Sequence, residues 1–128
     1  MPDFDDTSIS RAYVLDVDGL IAAYGDMAFV HSILTVFGSD CPRAMERLTT
    51  CINIGDIEGA RRAAHSLANI VGIIGSDRCS PLIGAMSTAL RDNDLCTARD
   101  RLVRLEQAIQ SVLSAVSAQL AGMESGSN

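Results

Sequence analysis

Ala60-Arg61-Arg62-Ala63-Ala64-His65-Ser66-Leu67-Ala68-Asn69-Ile70-Val71-Gly72-Ile73-Ile74-Gly75 is the stretch on which the fold turns. Apolar or small residues recur at Ile57, Ala60, Ala64, Leu67, Val71 and Ile74. Steps of three and four residues make the seam of a helix that packs on other helices. His65 is off that seam, one residue and about 100° past Ala64, on the helix shoulder. Its own stripe runs Arg61, His65, Ala68, Gly72. An imidazole with small residues one and two turns after it, beside two arginines, is placed to meet something from outside.

The segments on either side repeat the pattern. Upstream, Asn53-Ile54-Gly55-Asp56 reads as a turn, in which Gly55 ends one helix and Asp56 caps the next. The helix before it carries Val30, Ile33, Leu34, Phe37, Cys41, Ala44, Met45, Leu48 and Ile52 in one phase, starting from a cap at Asp26. Pro42 removes a hydrogen bond and crowds the carbonyl of Gly38. Two readings follow: one long helix kinked near Gly38, or two helices with Pro42 in the first turn of the second. The unbroken apolar phase favours the single kinked helix. Before it, Asp16 caps a short helix over Val17, Leu20, Ile21 and Tyr24, closed by Gly25. His31, beside Val30 and Leu34, reads as a helix-edge residue.

Downstream, Gly75-Ser76-Asp77 repeats the turn signal. A fourth segment turns Leu82, Ile83, Met86, Ala89 and Leu90 inward, with Pro81 tolerated near its start. Asp92-Asn93-Asp94 closes it and caps the last helix. That helix shows Leu95, Ala98, Leu102, Leu105, Ile109, Val112 and Val116 on one face, and a solvated face of Arg99, Arg101, Arg104, Glu106 and Gln110. Residues 1–10 read as a flexible acidic arm, 11–121 as one domain and 122–128 as a disordered tail. The expected fold is all-α: an antiparallel four-helix bundle with a short additional N-terminal helix.

Composition narrows the function. Hydrophobic residues are 48% of the chain and aromatics only 4%, so the core is aliphatic, as suits packed helices. The net charge of −6 argues against nucleic acid as a partner. No apolar run approaches the roughly 20 residues that span a bilayer, so no membrane is expected. The four cysteines are scattered and lack zinc spacing, which reads as reduced thiols and no metal site. Gly72-Ile73-Ile74-Gly75 lacks the lysine and spacing of a phosphate loop. The acidic N-terminus has no apolar secretory run behind it. A cytoplasmic, free-standing monomer without cofactor is the expectation.

Here the chain resembles a known family, the histidine-containing phosphotransfer (HPt) domains, over about residues 13–120. The family pattern is Ala-His-x-Leu-Lys-Gly, then a small residue seven past the histidine and a glycine ten past it. Ala64, His65, Leu67, Gly72 and Gly75 match. The turns at Gly55-Asp56 and Asn93-Asp94 are similar too. The chain departs from the pattern at Ala68, where the family has lysine, and at Asn69, where it has glycine. The resemblance implies a phosphorelay intermediate with His65 as phospho-acceptor. It implies no catalytic residue of the chain's own, because an acceptor aspartate, an acidic metal site and its ion come with a response-regulator receiver domain. A hybrid histidine kinase is the second implied partner. Arg61, Arg62, Ala68, Asn69 and Gly72 are the expected phosphoryl or partner contacts, with Arg61 or Arg62 supplying the charge of the missing lysine. Asn69, Ser87 or Thr88 is the candidate partner for the second ring nitrogen. The departures keep two alternatives open: a module that docks on receivers or kinases without accepting phosphate, and a helical dimerisation scaffold.

Overall fold

The computed structural model describes residues 15–74 and 78–126, with side chains to Met123. Among these residues the protein is all-helical: α1 (Val17–Tyr24), α2 (Met27–Ile54), α3 (Ile57–Ile74), α4 (Cys79–Arg91) and α5 (Leu95–Gly126). The expected arm at 1–10 and the turn at Gly75-Ser76-Asp77 lie outside the described residues. The expected tail at 122–128 is corrected in part, because α5 runs on to Gly126.

Local chemistry sets the helix ends. Asp16 accepts from the Gly19 N–H at 3.0 Å, and Asp26 from Phe29 N–H at 2.8 Å. Asp56 accepts from Gly59 N–H at 2.9 Å, and Asp94 from Thr97 N–H at 3.1 Å. Each supplies an acceptor to an amide that has none within its own helix. The Thr97 hydroxyl also donates to Asp94, and these bonds hold the Asp94 carboxyl below its ordinary value. Gly25 and Gly55 close α1 and α2 with φ of 95° and 79°, the left-handed region a glycine enters without strain.

Of the two readings, the single helix holds: α2 is continuous through Pro42 and runs on to Ile54, past the expected start of the turn at Asn53. Both Gly38 and Pro42 face solvent, so water can reach the carbonyl that proline leaves without a donor. The buried stripe Val30, Leu34, Phe37, Cys41, Ala44, Leu48 and Ile52 holds the helix together on the other side.

The long helices touch in cyclic order: α2 on α3, α3 on α4, α4 on α5, and α5 back on α2. Their inner faces enclose one core whose largest buried members are Leu34, Leu48, Ile52, Leu67, Met86, Leu90, Leu105 and Ile109. Helix α1 packs on α2 at a bend of 117° and inserts Leu20. The Tyr24 hydroxyl then donates to the Ile73 carbonyl at 3.1 Å, near the end of α3, where carbonyls run out of helical donors. No single described helix is long and apolar enough to cross a membrane.

Two of the arginines on the exposed face of α5 also reach other helices. Arg99 donates to the Ile52 carbonyl at 3.5 Å and Arg101 to the Ala85 carbonyl at 3.3 Å. The planar guanidinium can reach carbonyls on a neighbouring helix while staying partly in water, a use for which lysine is less suited.

Cys41 and Cys79 are both fully buried and neither is in a disulfide. Burial pushes the Cys41 thiol from 9.0 to about 12, and Cys79 nearby adds to the rise. The thiol therefore stays protonated in the fold where an unfolded chain would ionise it. Its contribution to stability is complete below about pH 8.5 and is lost as the pH rises toward the folded value. Thermal melts should show stability falling between about pH 9 and pH 11. In Cys41→Ala that slope should flatten, although the cavity lowers its melting temperature at every pH.

Candidate functional site

Helix α3 buries a broader face than its seam suggests. Gly59 and Ala63 join Ala60, Ala64, Leu67, Val71 and Ile74 in the core. Gly59 is held to glycine by its neighbours: a Cβ there would lie 2.8 Å from the Cys51 sulfur. The wider buried face corrects the position of His65. Ala63, Leu67 and Ile74 lie about 160–180° round the helix from it. His65 is therefore on the outward crest of α3 rather than on its shoulder, and its side chain is exposed.

Around that crest the surface is low. Ala68, Asn69 and Gly72 are exposed. Gly72 could be kept small for helix packing or for access from outside, and the structure separates the two. Among the described residues, a Cβ at Gly72 meets nothing within 4 Å. No described neighbour requires the glycine, and an exposed mid-helix glycine costs about 1 kcal/mol relative to alanine. Gly38 and Gly84 are equally open, so the feature gains weight only from its place two turns beyond His65. Gly72→Ala should raise the unfolding free energy by about 1 kcal/mol in a denaturant titration. Gly72→Tyr should fold equally well but weaken any partner that closes over His65.

The two arginines part company. Arg61 is turned away from His65 toward the end of α4. Its Nε and Nη2 donate to the Leu90 carbonyl at 3.1 and 2.9 Å, and Nη2 also to Asn93 Oδ1 at 2.9 Å. Its Nη1 pairs with Glu58 at 2.5 Å. Arg62 is exposed and bonds to none of the described residues. Of the two candidates for the missing lysine's charge, only Arg62 has a guanidinium at liberty. The expected partner for the second ring nitrogen is not found: neither Asn69 nor Ser87 bonds His65, and Thr88 donates to the Gly84 carbonyl.

Sequence reasoning missed one neighbouring feature. Phe29, Ser32, Ile33, Val36, Phe37 and Asp40 of α2, with Ile70 and Ile73 of α3, line an apolar trough of about 240 Å³. Phe29, Val36 and Ile73 are about half exposed, at 49%, 55% and 48%. Asn69 is one turn beyond His65, and Ile73 one turn beyond Asn69, so crest and trough adjoin. The available signal was three large apolar residues lying off the seams. Among the described residues no group of three or more His, Cys, Asp or Glu side chains could hold a metal ion.

No protein-family model matches the chain, and neither a curated protein nor a solved structure shows significant similarity to it.

Proposed function

We propose that the chain is a phosphorelay intermediate of the HPt type, built as an antiparallel four-helix bundle with α1 as an added N-terminal helix. The cyclic contacts of α2, α3, α4 and α5 support that architecture. The observation that carries the function is His65 on the crest of α3, above small neighbours and beside an apolar trough. That combination suits a nucleophile presented to a docking protein.

The chemistry asks little of the carrier. The unprotonated ring nitrogen of His65 attacks the phosphorus of a receiver's aspartyl phosphate. An N–P bond forms, the P–O bond to the aspartate breaks, and its electron pair leaves on the carboxylate. The proton on the other ring nitrogen takes no part in that exchange. The reverse step hands the phosphoryl group to another receiver, so the chain stores the group without catalysing its transfer. A pocket-bound histidine would not fit this role, because the receiver's active site must close over the ring.

A second reading has its own support. Arg61 is engaged elsewhere, and His65 has no protein partner for its second nitrogen among the described residues. Both fit a module that docks on receivers without accepting phosphate. Incubation with a phosphorylated receiver domain separates the two readings. The carrier reading expects acid-labile phosphate on the chain and loss of label from the receiver. Binding without label would favour the docking module.

A further inference from the structure

The positive charge that Arg61 does not bring to His65 has another source in the structure. Helices α2 and α3 share one register, fixed at two places. Near the hairpin, Cys51 faces Gly59. At the far end, Val36 and Asp40 line the trough with Ile70 and Ile73. Each pair of facing residues sums to about 110, so His65 lies level with about residue 45 of α2, by the even rise of both helices. On α2 the groove-lining stripe between those two ends runs Val36, Asp40, Arg43, Arg47, Cys51, in steps of three and four. Arg43 and Arg47 therefore stand one before and one after the level of His65 along the groove. Both are exposed and bond to none of the described residues. On α3, Arg62 lies one turn before His65 on the groove side. Small residues at Gly59, Ala60 and Ala63 allow the two helices to approach closely.

We propose that Arg43 and Arg47, with Arg62, form the cationic rim that receives the phosphoryl group of His65, in place of the lysine the chain lacks at Ala68. This rests on the carrier reading above. The chain as a whole is at −6, yet this edge of the groove carries three arginines that pair with no acidic side chain among the described residues. A phosphoryl dianion arriving there, free or on a receiver's acidic pocket, meets local attraction rather than the repulsion of the bulk charge. Because the cations stand on α2 rather than one turn after the histidine, the surface at Ala68 is left low for the partner.

The test uses the full chain with phosphoramidate, a small donor that needs no partner protein. Its P–N bond breaks as the His65 N–P bond forms, and ammonia leaves. Labelling is followed by 31P NMR at low and high salt. Arg43→Ala/Arg47→Ala should label His65 about tenfold more slowly than the native chain at low salt, and the gap should shrink at high salt. Arg43→Lys/Arg47→Lys should recover most of the rate, and Arg104→Ala should match the native chain. The double alanine variant labelling at the native rate at low salt would overturn the rim and leave the carrier reading standing. A native chain that takes no label from either phosphoramidate or a phosphorylated receiver would overturn both.

Discussion

On the carrier reading proposed above, His65→Gln should remove all acid-labile phosphate from the chain while leaving its fold and its docking unchanged. Glutamine presents an amide of comparable polarity at the same exposed crest. Its nitrogen is not nucleophilic, so no N–P bond can form. The substitution costs little stability, because His65 is exposed and bonds to none of the described residues. Surface changes away from such bonds usually stay within about 0.5 kcal/mol. The label should therefore fall to background while the melting temperature stays within a degree or two of the native value. Receiver binding, read by titration calorimetry, should keep its affinity, since the trough at Ile33, Val36 and Ile73 is untouched. Only the other histidine, His31, offers the same chemistry, and it is half-buried on α2. Label that survives His65→Gln and disappears in His31→Gln would move the acceptor and sink the reading of α3.

The parts of this structure legible in the sequence are those whose causes are local. Asp16, Asp26, Asp56 and Asp94 cap their helices because the acceptor and the amide it serves are three residues apart. Gly25 and Gly55 end theirs because a left-handed residue is needed there. The core of α2 and α5 follows from large apolar residues at helical spacing. Burial of small residues is less legible. Gly59 and Ala63 carry no hydrophobic signal strong enough to separate a core alanine from a surface one, and their burial is what moves His65 to the crest. Longer-range causes are not legible at all. The partners of Arg61 outside α3 lie 29 to 32 residues away, on a helix end that sequence spacing does not bring near it. The trough likewise needs α2 and α3 in register before Phe29, Val36 and Ile73 become one surface.

Arg61→Ala should damage stability far more than it damages phosphorylation. The guanidinium ties α3 to the C-terminal end of α4, where the Leu90 carbonyl accepts two of its N–H groups and the Arg91 carbonyl a third, longer one. It also holds the side chain of Asn93, which has a positive φ of 57° in the turn to α5. A positive charge at a helix C-terminus is favourable in itself. Hydrogen bonds from a charged donor contribute about 1.5–3 kcal/mol each when buried. Here the side chain is about one-third exposed, at 34%, and its ion pair with the exposed Glu58 adds little. A total loss of about 2 kcal/mol follows after that discount, or roughly 5–8 °C in melting temperature for a chain of this size. Arg61→Lys should recover less than half, because a single ammonium cannot reproduce the two-pronged approach to Leu90. Below the lowered melting temperature His65 should still label within about twofold of the native rate, since its crest and the α2 arginines remain. The opposite outcome, an unchanged melting temperature with labelling abolished, would mean that Arg61 leaves α4 when phosphate arrives. The charge of the missing lysine would then come from α3 itself, and the assignment of Arg43 and Arg47 would have to yield to it.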